Sequence, residues 1–497
     1  MDKSYILVVD QSTSGTKALI VDKTGTVIER SVIQHQQYYP QAGWVEHDAE
    51  EIYLNVKQVI RNVLLKANIQ SSMLALLTIT NQRETALVWD RITGQPINRA
   101  IVWQCQRTAD VCLRYRNDGH EMLVKSRAGL MLDPYFSATK LQWILTHAPD
   151  ATDKLREGSL LAGTIDSWLV WKLTGGTVHA TDYTNASRTS LFNIHTLQWD
   201  VDLCRLFDVP MEILPEVRCS DELFGYTNDA DLFDIQVPIS GVIGDSQGAL
   251  FGQMCFTEGM AKATYGTGSS VLMNIGDRAL ESRNGLVTTI AWGLSGRVTY
   301  AYEGVIRSTG DSLTWARDNL GLFRTYEEME QLTGDLTNNE GVYLIPAFVG
   351  LGAPYWDAYA RASIVGMNRG TDRGHMIRAA LQSIAYQIVD VVQLMERESG
   401  VTLVELRADG GASDNSKLMQ FQADMLNTNV IKSTISELSA MGSVFLGGLG
   451  IGFWASQEEL ISLQSTHVQA YHPEMSLEES NMYYEGWKKA VKSVLAQ

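Results

Sequence analysis

The chain has 497 residues, more than a single hydrophobic core can organise, so two or three domains are expected. Its formal net charge is −17 and its charges are spread along the whole sequence, which excludes nucleic acid and anionic membranes as expected partners. With 45% hydrophobic and 20% charged residues, the composition is that of an ordinary globular protein. We favour two domains, residues 1–250 and residues 251–497.

The cysteines and the apolar segments indicate in which cellular compartment the protein is expected. The five cysteines form no C-x-x-C pair and no zinc-ligand spacing, and an odd number of such thiols is typical of a reduced, cytoplasmic protein. No basic segment followed by a long apolar run opens the sequence, so we predict no secretion signal. The longest weakly polar stretch, residues 440–455, contains five glycines. It is too short for a membrane span, and we predict a buried, closely packed helix there.

The first predicted elements form an antiparallel meander of three short apolar runs. They lie at residues 4–10, 16–22 and 26–33, separated by Ser-Gly and Lys-Thr-Gly turns. Residues 48–51 have capping-box spacing, and apolar residues then recur at helical spacing from Ile52 to Leu64. The next strand is predicted at residues 75–80, directly before a polar segment.

The second half of the chain repeats this order. Its predicted strands lie at residues 261–264, 269–275, 286–291 and 297–302. A long helix is predicted over residues 375–398, because apolar residues recur at helical spacing and Gly400 follows. The shared order of meander, turn and helix predicts two related α/β domains that meet across a hinged cleft.

Two turns rich in Gly, Thr and Ser stand between strand-like runs, one within residues 6–20 and the other within residues 264–273. Small residues let backbone N–H groups approach phosphate oxygens, and hydroxyls add further donors. Asp10, at the end of its strand, is placed to hold a magnesium ion through water. P-loop and protein-kinase motifs are absent. The paired turns therefore predict a phosphoryl-transfer enzyme with another kind of phosphate site.

Nine motifs, in order along the chain, strongly resemble those of the FGGY carbohydrate kinases, and among these the glycerol kinases. They are DQSTSGTK (10–17), TNQRE (80–84), WQCQRT (103–108), DPY (133–135), DYTNASR (182–188), GDSQ (244–247), YGTG (265–268), GLGAPYWD (350–357) and DGGA (409–412). The resemblance extends over essentially the whole chain. It implies an α/β fold in which two RNase H-like domains, of the actin and hexokinase ATPase type, flank a central cleft.

The resemblance implies a polyol pocket lined by Arg83, Glu84, Trp103, Tyr135 and Asp245. Arg83 and Glu84 supply fixed donors and acceptors for vicinal hydroxyls, and Trp103 supplies a flat apolar wall. Taken without their motifs, the first two would be a surface ion pair, and the two aromatic residues would belong to the core. Asp245 is implied as the general base for the attacking hydroxyl and, together with Asp10, as a carboxylate at the metal.

The resemblance also implies a nucleotide site for ATP and Mg²⁺. The residues expected there are Thr13, Ser14, Gly15 and Lys17 at the β- and γ-phosphates, Thr267 on the opposing hairpin, and Gly310, Gly411 and Asn415 beside ribose and adenine. Ser413 or Asp414 is expected to cap the following helix, so that the nucleotide rests against a helix start.

Three positions depart from the glycerol kinase pattern. The pattern has Gln after the catalytic Asp, Phe at the position of Ser270 and Arg at the position of Lys17, whereas Ser246 follows Asp245 here. Two small polar side chains, Ser246 and Ser270, are expected to widen the end of the polyol pocket. Lysine keeps the charge of arginine but lacks its planar fork, which shifts phosphate affinity modestly.

We therefore expect an ATP:polyol phosphotransferase with glycerol as its first substrate, forming glycerol 3-phosphate and ADP. Erythritol, threitol, a pentitol or a pentulose stay open as alternative substrates, and a non-catalytic nucleotide-dependent sensor is a less favoured alternative. Residues 227–237 are acidic where some relatives carry a Gly- and Arg-containing loop for a sugar bisphosphate, so that control is expected to be absent. The resemblance also implies a homo-oligomer, a dimer or a tetramer.

Overall fold

The computed structural model describes residues 3–334, 338–357, 359–435, 437–464 and 468–495. Two large mixed sheets, one of six strands and one of seven, carry most of the architecture. Helices cover both sheets, and the hydrophobic residues of the central strands β1, β5, β15 and β16 are largely buried. The described residues include no helix that combines the length and the apolar character needed to cross a membrane.

The elements up to residue 252 are β1 (Tyr5–Gln11), β2 (Gly15–Asp22), β3 (Val27–Gln34), β4 (Glu46–His47), α1 (Ala49–Ala67), β5 (Leu74–Asn81), β6 (Ala86–Asp90), β7 (Ala100–Ile101), α2 (Ala109–Asn117), α3 (Glu121–Ala128), α4 (Ser137–His147), α5 (Ala151–Arg156), β8 (Leu160–Thr164), α6 (Ile165–Leu173), β9 (Ala180–Asp182), α7 (Tyr183–Ala186), β10 (Phe192–Asn193), β11 (Gln198–Trp199), α8 (Val201–Leu206), β12 (Glu216–Arg218), β13 (Gly225–Tyr226), β14 (Pro238–Gly244) and α9 (Asp245–Gly252).

The later elements are β15 (Met260–Tyr265), β16 (Ser269–Asn274), β17 (Val287–Leu294), β18 (Arg297–Ile306), α10 (Gly310–Asp318), α11 (Tyr326–Gly334), β19 (Tyr343–Ile345), β20 (Ser363–Val365), α12 (Arg373–Ser399), β21 (Glu405–Asp409), α13 (Ser416–Leu426), β22 (Val430–Ser433), α14 (Leu438–Gly450), α15 (Gln457–Gln464), β23 (Val468–Tyr471) and α16 (Leu477–Lys492). Short 3₁₀ turns occupy Ser71–Met73, Met211–Ile213 and Gly411–Asp414.

The first sheet has the strand order β13-β14-β5-β1-β2-β3. Strands β1, β2 and β3 form the predicted antiparallel meander, and β5 then pairs parallel to β1. Strand β14 in turn pairs parallel to β5. Parallel strands end at the same edge of a sheet, so β1, β5 and β14 bring the residues that follow them to one place.

The second sheet repeats this core arrangement in the order β17-β18-β16-β15-β21-β22-β23. Strands β15, β16 and β18 form an antiparallel meander, and β21 and β22 follow with parallel pairing. The expectation of two related α/β halves is confirmed. The two sheets are RNase H-like units of the actin and hexokinase type.

Helix α1 begins at the predicted cap, although the capping box itself does not form. The Asp48 carboxylate accepts hydrogen bonds from the backbone N–H groups of Glu50 and Glu51. The Glu51 carboxylate, which a capping box would return to residue 48, instead accepts from the Gln36 backbone N–H at 3.0 Å. The segment that follows β3 therefore competes successfully for the Glu51 side chain.

Helices α9 and α14 cross in close contact, and α14 also packs on β14, β5 and β1 of the first sheet. A Cβ on Gly442 would lie 1.8 Å from the Gly248 carbonyl oxygen, so the two backbones touch. The prediction of a buried, closely packed helix is confirmed for residues 440–450, and the helix begins two residues earlier, at Leu438. The prediction is wrong for the last five residues, 451–455, because the chain turns after Gly450.

Helix α12 matches its predicted span closely and ends at Gly400, whose φ of 73° is the left-handed conformation favoured for a helix stop. Residue 250 lies inside α9, and the division of the chain at residues 250 and 251 stays a prediction.

Candidate active site

A cleft of about 1170 Å³ opens at the edge where the parallel strands of both sheets end. Asp10 lies at the end of β1, Arg83 and Glu84 follow β5, and Asp245 follows β14. From the second sheet, Thr264 on β15 pairs with Asp409 on β21. The topology thus brings Arg83, Glu84, Asp245, Thr264 and Asp409 to a single cleft, whereas Asp10 is buried and does not line it.

Asp245 begins α9 and projects into this cleft. Its Oδ1 lies 3.2 Å from Arg83 Nε and accepts a hydrogen bond of 2.6 Å from the Ser246 backbone N–H. Its side chain keeps 37% of its surface accessible, in contrast to its buried neighbours. The carboxylate is therefore held through one oxygen and remains open to a ligand.

Two arginines and two glutamates form a buried ionic network at the back of the cleft. Arg83 Nη2 lies 2.9 Å from Glu303 Oε1, and Arg188 bridges Glu84 and Glu303 with contacts of 2.6 Å each. Burial disfavours the charge on Glu303, but Arg188 and Arg83 outweigh it and hold the pKa of Glu303 at about 2. Burial wins at Glu84, where the pKa is raised despite both arginines.

Arg83 and Glu84 are 5% and 1% exposed, so they are not the surface ion pair that the dipeptide alone suggests. Glu84 also has a positive φ of 60°, a conformation that a non-glycine residue adopts only when its surroundings enforce it. The Ser137 hydroxyl donates to the Glu84 carbonyl oxygen at 3.0 Å and helps to fix this turn. Such enforced backbone geometry is frequent at ligand sites.

Trp103 and Tyr135 form one wall of the cleft, with their rings in edge contact at 5.5 Å. Trp103 Nε1 donates to the Thr13 hydroxyl at 2.9 Å and so ties this wall to the β1–β2 turn. Both aromatic residues are partly exposed, so they are not simply core residues.

Ser246 and Ser270 both line the cleft, as expected. The Ser270 hydroxyl donates to Glu303 Oε1 at 3.4 Å, and Val305 beside it on β18 is 41% exposed. This end of the cleft is therefore bordered by short side chains and has free space next to it.

Asp10 is 5% exposed and has an unusual electrostatic position. Burial raises its pKa to about 7, opposed by Lys17 and reinforced by the carboxylates of Asp245 and Glu437. Lys17 Nζ lies 3.8 Å from Asp10 Oδ2 and 2.7 Å from Glu437 Oε2. Glu437 precedes α14, so this ion pair joins the β1–β2 turn to a helix from the second half of the chain.

Asp10 and Asp245 suit a magnesium ion. Mg²⁺ is usually held by one or two carboxylates together with substrate phosphates and water. Among the described residues no group of three or more acidic, His or Cys side chains forms a dedicated metal cage. The nearby Asp245 carboxylate adds to the burial that raises the pKa of Asp10 and so disfavours the charge on Asp10. A cation between them would relieve this effect.

A second cavity of about 660 Å³ adjoins the cleft and is lined by Thr267, Gly310, Gly411 and Asn415, whereas Ser14, Gly15 and Lys17 line neither cavity. The Gly310 backbone N–H donates to the Gly266 carbonyl oxygen at 3.0 Å, which joins α10 to the β15–β16 hairpin. A Cβ on Gly411 would meet no atom within 4 Å, so this glycine borders open space.

The predicted cap of α13 is wrong. Asn415, and neither Ser413 nor Asp414, is the N-cap, and its side-chain oxygen accepts from the Leu418 backbone N–H at 2.9 Å. Ser413 and Asp414 lie in the 3₁₀ turn, where the Ser413 hydroxyl donates back to the Gly410 carbonyl oxygen. The 3₁₀ turn takes the Ser413 hydroxyl, and α13 begins at Ser416, after the Asn415 cap.

The residues of the β1–β2 turn are not equivalent. Thr13 lines the cleft and Ser14 is exposed at the tip. Gly15 is buried against β3, where a Cβ would come within 2.8 Å of the Ile33 carbonyl oxygen. Strand packing therefore requires this glycine whether or not phosphate approaches it.

Four charged residues of this region received no role from the sequence: Arg188, Glu303, Lys262 and Asp409. Lys262 is the single charge of β15, and Glu303 is the single charge of β18 after its first residue, Arg297; they are 1% and 2% exposed. The sequence did offer one signal for Glu303 and Lys262, namely a charged residue with apolar neighbours inside a predicted strand. Such a group, once buried, needs a buried partner or a ligand.

The comparisons with known proteins agree with this geometry. The N-terminal domain model of the FGGY family of carbohydrate kinases matches residues 5–252, and the C-terminal domain model matches residues 261–451. The chain belongs to the FGGY carbohydrate kinases. Membership of this family makes it an ATP-dependent phosphotransferase.

Two curated relatives of this FGGY kinase are the glycerol kinases of Shigella flexneri and of Escherichia coli K12 / DH10B. Each is 49% identical over 495 residues, which cover 100% of this chain and 98% of the relative. The crystal structure of Plasmodium falciparum glycerol kinase with ADP superposes with a TM-score of 0.95 at 35% identity, covering 100% of this chain and 99% of that one. A Lactobacillus acidophilus xylulose kinase shares the fold, with a TM-score of 0.86 at 19% identity over 98% of this chain and 97% of that one.

Proposed function

We propose that this FGGY kinase phosphorylates a terminal hydroxyl of glycerol with ATP and releases glycerol 3-phosphate and ADP. The observation that carries the proposal is 49% identity to curated glycerol kinases across the full chain. The cleft supports it, because an accessible carboxylate, a buried ionic network and an aromatic wall surround one space. That combination suits a small molecule with several hydroxyl groups.

Asp245 is the proposed general base. Arg83 and the Ser246 backbone N–H hold its Oδ1, and the carboxylate accepts the proton of the attacking hydroxyl. Phosphoryl transfer proceeds through a loose transition state, so alignment and charge neutralisation lower most of the barrier. The base therefore acts chiefly by orienting the alcohol and removing its proton late.

The nucleotide is proposed to lie across the two cavities. Its phosphates face Thr13, Ser14, Gly15 and Lys17 on one side and Thr267 on the other, and its adenosine part lies near Gly310, Gly411 and Asn415. Asp10 and Asp245 would hold Mg²⁺ through carboxylate oxygens or bound water. When bound, the ion neutralises charge on the phosphates.

A longer substrate is a second candidate, favoured by the short side chains of Ser246 and Ser270 at the end of the cleft. Each additional hydroxyl could gain about 0.5 to 1.5 kcal/mol if it is well hydrogen-bonded. Four- and five-carbon polyols and pentuloses would occupy the space beside Val305. Glycerol remains the first candidate because of the full-length relatives.

A coupled assay for ADP formation over a panel of polyols tests both candidates. We expect weak ATP hydrolysis without polyol and strong stimulation by glycerol, with mass spectrometry identifying the phosphorylated product. The kcat/KM values for glycerol, erythritol, threitol and pentitols then rank the substrates. Ser270→Phe should narrow the cleft and shift the ranking towards glycerol. No stimulation by any member would leave the non-catalytic nucleotide sensor as the better description.

Three further properties are proposed from the resemblance: a cytoplasmic location, a dimeric or tetrameric assembly, and the absence of control by a sugar bisphosphate. The acidic segment 227–237 is engaged with α1, because Lys57 Nζ lies 2.8 Å from Asp229 and 3.1 Å from Asp231. Its carboxylates repel a bisphosphate. Clear inhibition by fructose bisphosphate would contradict this last proposal, and sedimentation velocity measures the assembly.

A further inference from the structure

Lys262 is a buried lysine that faces the cleft without an acidic partner in contact. It lies on β15 between Ala261 and Ala263, is 1% exposed, and lines the main cavity. Its ammonium group donates to the Thr264 hydroxyl at 3.0 Å. Within the described ranges, no carboxylate lies at ion-pair distance from it. A compact ammonium group has three donors, so this contact uses a fraction of its capacity.

The other cations that line the cleft are engaged. Arg83 contacts Asp245 and Glu303, Lys432 Nζ lies 2.7 Å from Asp414, and Arg307 donates to the Val349 carbonyl oxygen at 3.0 Å. Lys262 thus differs from them in being both buried and unpaired. Burying an ammonium group without a partner is unfavourable, so the position points to an anion that arrives with a ligand.

The surroundings of Lys262 indicate which anionic part of the ligand it contacts. Burial lowers its pKa, and Asp409, Glu303 and Asp245 are the acidic groups near enough to oppose this effect. The proposed base Asp245 and Lys262 both line the main cavity. Strand β15 continues from Lys262 towards the hairpin that carries Thr267, and Lys262, Thr267 and Asp245 line the same cavity.

We propose that the Lys262 ammonium group contacts the non-bridging oxygens of the phosphoryl group in transit, which makes it a further catalytic residue. This inference rests on the proposed function. In the step, the bond between the γ-phosphorus and the β,γ-bridging oxygen breaks and its electron pair stays on ADP. A bond forms from the phosphorus to the substrate oxygen, whose proton passes to Asp245. Lys262 remains protonated and offsets the charge on the equatorial oxygens.

The test compares wild type with Lys262→Met, Lys262→Arg and Thr264→Val. Isothermal titration with Mg²⁺ measures the affinity for ADP and for the β,γ-methylene analogue of ATP, and steady-state kinetics measures kcat and KM with glycerol. For Lys262→Met we expect ADP affinity within twofold of wild type, analogue affinity at least tenfold weaker, and kcat at least 100-fold lower. The KM for glycerol should stay within threefold. Lys262→Arg, which keeps the charge, should recover most of the analogue affinity.

Thr264→Val separates this role from a structural one, because it removes the hydroxyl that Lys262 contacts and keeps the ammonium group. We expect it to lower kcat less than tenfold. Equal weakening of ADP and analogue by Lys262→Met, or unchanged kcat, would overturn the proposal. If Lys262→Met does not fold, Lys262→Gln replaces it with the same expectations. If wild type shows no polyol-dependent turnover, the proposed function fails. The ratio of ADP affinity to analogue affinity in wild type and in Lys262→Met would still show whether Lys262 contacts the γ-phosphoryl group.

Discussion

Asp245 combines accessibility with firm orientation, since its Oδ1 is held by Arg83 and by the following backbone N–H. For Asp245→Asn we expect kcat to fall by a factor of about 10² to 10⁴, the range for removal of a positioned acid–base group. The ADP affinity should change by less than threefold. Steady-state kinetics and calorimetric titration measure the two quantities. A variant that loses nucleotide binding and keeps kcat would contradict the assignment of Asp245 as base.

Asp10 gives the nucleotide-free protein a pH-dependent stability. Its pKa rises from 3.8 to about 7 on folding, chiefly through burial. The folded state therefore binds this proton more tightly than the unfolded state, and the stability that the group contributes falls as pH rises from about 4 to 7. Asp10→Asn, which mimics the protonated form, should raise the free energy of unfolding at pH 8 by roughly 1 to 3 kcal/mol. At pH 5, where only part of this contribution has been lost, the gain should be smaller. Thermal melts of both proteins at both pH values check this, and an equal effect at pH 5 and pH 8 would rule it out.

At the residue scale, sequence reasoning identified side chains that belong to recognisable motifs. Arg83, Trp103, Tyr135 and Asp245 indeed line one cleft. Sequence reasoning gave Glu303 no role, because the role of Glu303 depends on ion pairs with Arg83 and Arg188. Such a partnership is created by the tertiary structure, and no spacing along the chain encodes it.

Helices α9 and α14 meet through glycines, and this contact sets how closely they approach. A Cβ on Gly442 would clash with the Gly248 carbonyl oxygen at 1.8 Å. Because that atom is backbone, relief requires the helices to separate. We expect Gly442→Ala to lower the free energy of unfolding by roughly 2 to 3 kcal/mol, measured by urea denaturation.

Gly334→Ala is the matched control. It lies at the end of α11, and a Cβ there would be 3.7 Å from the nearest atom, the flexible Lys417 Nζ. Its effect should remain within about 0.5 kcal/mol. Similar decreases in the free energy of unfolding for the two variants would show that close approach of α9 and α14 does not require glycine at position 442.

At the element scale, periodicity predicted the meander strands, α1 and α12 well, because each has a clear apolar pattern and a recognisable end. Helix α14 was predicted to run to residue 455, since glycine-rich apolar sequence has no visible stop. The cap of α13 was misplaced by one residue or two, because Ser413, Asp414 and Asn415 are all good caps. Only the 3₁₀ turn that precedes the helix decides between them.

Across the whole molecule, the ion pair of Lys17 with Glu437 links the β1–β2 turn to the start of α14. Glu437 is also 3.7 Å from Arg30, and its negative charge would oppose the nucleotide phosphates proposed at Lys17. For Glu437→Gln we expect MgADP to bind about three- to tenfold more tightly at low salt, which corresponds to roughly 1 kcal/mol. Calorimetric titration measures this. Glu50→Gln, which breaks the pair between α1 and Lys172 of α6 and lines neither cavity, should leave the affinity unchanged. Weaker binding by Glu437→Gln would show that the carboxylate assists the nucleotide.

All five cysteines are buried, and burial raises the pKa of Cys112 to about 11 and those of Cys204, Cys219 and Cys255 to about 12. Alkylating reagents attack thiolates that solvent can reach, so the native protein should be almost inert to maleimide. Labelled molecules in a sample are then those that have opened. The buried thiols therefore report unfolding in both halves of the chain, since Cys255 lies in the second half and the other four lie in the first. Mass spectrometry of the labelled peptides, taken at successive times, shows which half opens first.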